Sequence, residues 1–145
     1  MAVFPPRLGC SPMSKLFEIA VVDDDESVCK ALKRLLGSAG YHASTFTRGA
    51  EFLRSVETRR PDCVVLDVHM PGMTGLEVLT RLKNSHPDVP VIMITAYDDR
   101  ETHQKALQAG ALFLRKPFND QALLDAIHNA LGGALGPRPV TGESN

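Results

Sequence analysis

Two hydrophobic rhythms alternate along the chain between residues 17 and 131. Short apolar runs fall at 17–22, 62–66, 89–94 and 111–115, with a weaker one at Tyr41 to Phe46. Runs of this length predict strands. The segments between them repeat at helical spacing. Val28, Ala31, Leu32, Leu35, Leu36 and Ala39 mark a first helix, which Gly40 stops. Phe52, Leu53 and Val56 mark a second, and Leu76, Leu79 and Leu82 a third. Leu123, Leu124, Ile127 and Leu131 mark the last, with Asn119 or Asp120 as its N-cap. The fourth helix, roughly Asp99 to Ala109, has an apolar face of little more than Ala106, Leu107 and Ala109. Tertiary packing holds such a helix weakly, which makes it a candidate for movement.

Five strands alternating with five helices predict an α/β fold, a doubly wound parallel sheet with helices on both faces. The runs at 62–66 and 89–94 are almost continuously apolar, as strands buried on both faces are. Ligands of such sheets bind at the carboxyl ends of the strands. The residues there decide the chemistry. Asp23, Asp24 and Asp25 follow the first run, Asp67 the third, Thr95 the fourth and Lys116 the fifth. Acid, acid, hydroxyl and ammonium gathered at one edge suit a divalent metal and a phosphoryl group meeting at a nucleophilic carboxylate.

Composition narrows the classes further. A chain of 145 residues suits one domain that needs no disulfide staples. A net charge of −1 gives no bulk attraction to nucleic acid or an anionic membrane, and Arg59-Arg60 reads as a solvated loop. Cys10, Cys29 and Cys63 are odd in number, and no His stands at zinc-ligand spacing from any of them. Cys29 and Cys63 read as small core residues of a reducing compartment. The opening Met1 to Pro12 has three prolines and no apolar stretch, so it is not a secretory signal, and Met13 offers a second translation start. The expected organisation is a flexible extension over 1–15, a domain over 16–131, and a Gly/Pro-rich tail or linker stump over 132–145. The expected location is the cytoplasm.

Each site residue also has a plainer reading, since Asp caps helices, Thr satisfies turns and Lys is usually solvated. Their joint placement favours chemistry. Asp23 and Asp24 across the sheet from Asp67 would repel one another unless a cation sat among them. Magnesium, commonly held by one or two carboxylates plus phosphate oxygens, fits, with manganese as the alternative ion. Asp25 and Glu26 have the weaker claim, as residues of a helix start. Asp67 is the expected nucleophile, able to form an acyl phosphate. Lys116 would neutralise one phosphoryl oxygen, and the Thr95 hydroxyl would donate to another. Three carboxylates, a divalent ion and an ammonium sum to about zero, so a phosphoryl donor can approach.

The stretches Val21-Val22-Asp23-Asp24-Asp25, Leu66-Asp67-Val68-His69-Met70-Pro71-Gly72-Met73-Thr74-Gly75, Ile94-Thr95-Ala96 and Gly110 to Phe118 resemble the receiver domain of bacterial two-component response regulators, in wording closest to FixJ-type receivers. The resemblance covers about residues 16 to 131. It implies a flavodoxin-like five-stranded sheet of order 2-1-3-4-5. It implies that Asp67 accepts a phosphoryl group from a sensor histidine kinase. Asp24, Asp67 and the main-chain oxygen of His69 would bind the metal directly, and Asp23 through water. Thr95 and Lys116 would contact the phosphoryl group, and Lys116-Pro117 would be a cis peptide bond. Phe113 matches the family's switch aromatic; lacking a hydroxyl, it must signal by packing. His69 and Tyr97 would line the mouth and slow the attacking water. Phosphorylation would shift the surface of the fourth helix, fifth strand and fifth helix. That surface would make a homodimer or dock an output domain or partner protein. A stand-alone receiver is expected slightly ahead of a part of a longer regulator, with no direct contact to nucleic acid or membrane. The chain would be an acceptor with at most slow self-dephosphorylation, not a turnover enzyme.

Three rivals share parts of the pattern. A haloacid-dehalogenase-type phosphohydrolase wants a second Asp two residues after the nucleophile, where His69 stands. A flavodoxin-like cofactor binder wants a Gly- or Ser-rich loop after the first strand, where three aspartates stand. A receiver relic that binds partners without phosphorylation would not need the complete acidic, Thr and Lys set.

Overall fold

The computed structural model describes residues 16–96 and 100–132. Five strands alternate with five helices: β1 (Glu18–Val22), α1 (Glu26–Ser38), β2 (His42–Phe46), α2 (Gly49–Val56), β3 (Cys63–Asp67), α3 (Gly75–Ser85), β4 (Val91–Thr95), α4 (Arg100–Gln108), β5 (Leu112–Arg115) and α5 (Asp120–Ala130). All strands run parallel in the order β2-β1-β3-β4-β5. The flavodoxin-like doubly wound sheet read from the sequence is the fold of the chain.

Period-two alternation splits the strands between two cores. Ala20, Val22, Val64, Leu66 and Met93 face α2, α3 and α4, and meet Phe52, Val56, Val78, Leu79, Leu82 and Ala106. Ile19, Val21, Val65, Ile92 and Ile94 face α1 and α5, and meet Cys29, Leu32, Leu36, Leu123 and Ile127. Burial on both faces explains why β3 and β4 carry apolar residues at nearly every position. The edge strands β2 and β5 are more exposed, and β2 is also more polar.

The caps fix where the helices begin. The Asp25 carboxylate accepts from the Ser27 and Val28 N–H groups at 2.8 and 3.4 Å, so Asp25 starts α1. Thr74 and Glu77 form a reciprocal capping box on α3. Asn119, rather than Asp120, caps α5, accepting from the Ala122 N–H at 2.7 Å. Gly40 takes φ 93° just after α1, a conformation that its missing Cβ permits.

Several expectations shift. Ala31 and Ala39 are exposed, and the buried stripe of α1 is Cys29, Leu32 and Leu36, because a stripe one residue over continues better at 100° per residue. Leu107 on α4 is 52% exposed, and Thr102 and Ala106 form the buried face instead. Cys29 and Cys63 are buried free thiols, as read, while Cys10 lies outside the described residues. Arg59 is exposed yet not simply solvated. Its guanidinium donates to both Glu18 carboxylate oxygens, at 2.8 and 2.7 Å, tying the turn after α2 to the start of β1.

Candidate functional site

Asp67 and Thr95 are the last residues of β3 and β4, not the first of the loops beyond. The ladder carries them: Asp67 pairs with Ile94, and Thr95 with Arg115. The Val68 N–H still donates to the Ile94 carbonyl, at 2.9 Å. Both side chains therefore ride on rigid backbone and are buried, Asp67 at 5% exposure and Thr95 at 1%.

Asp23 follows β1 and is buried, whereas Asp24 is exposed. One carboxylate oxygen of each of Asp23, Asp24 and Asp67 lies within 4.8 Å of the other two. The geometry thus brings together the three acids that the sequence pattern proposed. One Asp23 oxygen accepts from the Asp25 N–H at 2.9 Å; the other faces the Lys116 ammonium at 3.3 Å. That ammonium stands 4.0 Å from Asp67 Oδ1. The Lys116 N–H donates to the Thr95 carbonyl at 2.6 Å, and Lys116-Pro117 is a cis peptide bond.

Burial, then the neighbouring Asp23 carboxylate, push Asp67 up to about 6, with a smaller push from Asp24. Lys116 and the His69 N–H, which donates to Asp67 Oδ1 at 3.3 Å, oppose the rise. At pH 7 the group is still mostly ionised. One ammonium set against three carboxylates leaves the cluster short of positive charge. A hard divalent cation with oxygen ligands meets that deficit, so these residues fit a metal.

Other assigned residues stand apart. The His69 side chain is exposed at the mouth. Tyr97 lies outside the described residues. Phe113 is half-buried on β5 and stacks on His103 of α4, with ring centroids 4.3 Å apart and planes 8° from parallel.

Three contributors escaped the sequence reading. The buried Cys29 thiol donates to the Asp23 carbonyl at 3.2 Å, steadying the acidic loop from beneath. Gly75 opens α3 hard against the acidic strand: a Cβ there would lie 2.2 Å from the Asp67 carbonyl oxygen and 2.7 Å from Val68 Cα. Its position directly after a capping Thr was the available signal. His103 gave none, because its contact with Phe113 crosses a turn and follows no helical or strand period.

A doubly wound sheet with a lysine-flanked acidic cluster at its carboxyl edge defines a flavodoxin-like α/β domain whose carboxylates could hold a metal ion. Residues 19–128 match the family model of the response regulator receiver domain. The chain belongs to that family. It is 40% identical over 112 residues to the DNA-binding transcriptional regulator NtrC of Escherichia coli (strain K12), covering 77% of this chain and 24% of that protein. It is 38% identical over 130 residues to the response regulator protein TodT of Pseudomonas putida (strain F1), covering 88% of this chain and 57% of that one. The chain thus spans about a quarter of one relative's length and little more than half of the other's. The crystal structure of a CheY-like receiver domain protein from Methanospirillum hungatei JF-1 superposes with a TM-score of 0.79 at 30% identity, over 82% of this chain and 96% of that one. Among the described residues no helix is long and apolar enough to cross a membrane.

Proposed function

We propose that this receiver domain takes a phosphoryl group onto Asp67 from a sensor histidine kinase and relays the change through its α4–β5–α5 surface to an output domain or partner protein. The observation that carries the reading is the convergence of Asp23, Asp24 and Asp67 within 4.8 Å, with Lys116 between Asp23 and Asp67.

In the transfer, an Asp67 oxygen forms a bond to phosphorus as the phosphorus–nitrogen bond of the donor phosphohistidine breaks. The imidazole leaves with the electron pair and takes a proton from solvent. Asp67 is positioned for this by its ladder and by the His69 N–H on Oδ1. Lys116, already 4.0 Å from that oxygen, neutralises charge on the transferring group. Thr95, fixed at the end of β4, offers its hydroxyl to a further oxygen. Asp24, Asp67 and the His69 main-chain oxygen would hold Mg²⁺, or Mn²⁺, with Asp23 acting through water. The ion, when bound, supplies Lewis-acid neutralisation of phosphoryl oxygens. An open groove lined by Thr47, Arg48, Pro71 and Met73 lies beside Asp24. His69, exposed beside Asp67, restricts water and prolongs the acyl phosphate. The chain acts as an acceptor and store of the group rather than as a turnover enzyme, in the cytoplasm.

Incubation with acetyl phosphate and Mg²⁺ followed by intact mass measurement tests this. The expected result is a gain of one phosphoryl group, lost on chelation and in Asp67→Ala. No gain, or a gain that survives Asp67→Ala, would overturn the reading.

A further inference from the structure

Phe113 does not stand alone on β5. It pairs in register with Met93, and Thr95, two residues further along β4, faces the same side of the sheet. On that side lies α4, whose buried contribution is only Thr102 and Ala106. Leu107, the one large aliphatic side chain of the helix, points outward. Against so thin an apolar face, the stack of His103 on Phe113 joins the Ala111 N–H to Ala106 carbonyl bond in tying α4 to β5. Its centroids are 4.3 Å apart and its planes 8° from parallel, close enough that Phe113 cannot turn about its side-chain bonds without losing the contact.

The stack and the ion pairs of Lys116 occur together in one arrangement. The Lys116 ammonium sits nearer Asp23, at 3.3 Å, than Asp67, at 4.0 Å. We infer that His103 is a positioning residue: its ring holds Phe113 and α4 in the unphosphorylated arrangement and thereby sets how readily the domain switches. The inference rests on the reading of Asp67 as phosphoryl acceptor. The physical link is reciprocal coupling. A contact present only in the resting arrangement opposes anything that binds the switched one, and its removal favours that ligand by the same factor.

The test is binding of beryllium trifluoride, a phosphoryl mimic, to the full chain with Mg²⁺, followed by fluorine NMR, with Mg²⁺ affinity measured separately by calorimetry. His103→Ala, a substitution that favours helix, should bind the mimic about three- to tenfold more tightly. His103→Phe restores a ring and should return within about twofold of wild type. Mg²⁺ affinity should stay within about twofold in both, because His103 does not touch the acids. A merely structural role would lower the melting temperature and leave the mimic's affinity alone. Unchanged or weaker binding in His103→Ala, or no recovery in His103→Phe, overturns the inference while leaving the acceptor reading intact. Failure of the wild type to bind the mimic at Asp67 removes both.

Discussion

The β1–β3 side of the carboxyl edge and its β4–β5 side carry parts of one site but are held by different means. On the first, Asp23 is pinned by Lys116, by the Asp25 N–H and, through its main chain, by the Cys29 thiol and Phe46 carbonyl. Beneath it the core is dense, with Phe52, Leu66, Leu79 and Leu82 almost fully enclosed. On the second, β5 is an edge strand of four residues, and α4 buries only two side chains. Chemistry needs carboxylates that do not drift, whereas a response needs a part that can move for little free energy. Under the proposed function the two demands fall on different elements, the carboxylates at the ends of β1 and β3 and the movable part on α4 and β5.

The contrast can be broken first where it is strongest. Phe52→Ala, in the dense half, should cost about 3–5 kcal/mol in urea unfolding. A loss similar to that of a surface substitution would show that the dense half is not dense. Next comes Gly75→Ala. The added carbon must push α3 away from the Asp67 carbonyl, and overpacking of this kind costs about 1–3 kcal/mol. Mg²⁺ affinity by calorimetry should fall with it, since the displaced strand end carries the proposed ligand Asp67. A destabilised variant with unaltered Mg²⁺ affinity would show that helix and carboxylate are not coupled.

A pH experiment sharpens the electrostatic side. Asp67 is raised in the fold from an ordinary carboxylate value to about 6, so the native state binds more protons than the unfolded chain between roughly pH 4 and 6. Stability from this group is therefore present at low pH and lost as pH rises through 6. In chelator at pH 7, Asp67→Asn should be more stable than wild type, by on the order of 1 kcal/mol, and the advantage should shrink towards pH 4. Chemical denaturation at both pH values measures it; an advantage that grows on acidification would reverse the sign. The smallest effect belongs to the loose half. Leu107→Ala, at a site 52% exposed, should change stability by no more than about 0.5 kcal/mol in the same assay.

How much of this was written in the chain differs between the two halves. Asp67, Thr95 and Lys116 were legible because strand runs end on them, and the carboxyl-end rule turns sequence position into spatial neighbourhood. Asp23 and Asp24 joined them once the sheet order placed β1 beside β3. The α4–β5 side was read less well. Its helix has so few apolar residues that Leu107 was assigned inward, while Thr102 is the residue that is buried. The His103–Phe113 stack pairs residues ten apart across the Gly110 turn, a contact that only tertiary placement creates. Cys29 was recognised as core, but not as a donor to the acidic loop, since hydrogen bonding by a thiol has no sequence period.

One atom missing from the entrance of α3 has a consequence for how this chain can vary. Every amino acid other than glycine begins its side chain with the same carbon, and at position 75 that carbon would overlap the Asp67 carbonyl. Libraries screened for binding of divalent ions should therefore keep glycine at 75 while neighbouring helix positions such as Glu77 and Thr80, exposed to solvent, accept many replacements. A narrow tolerance then falls on a residue that performs no chemistry.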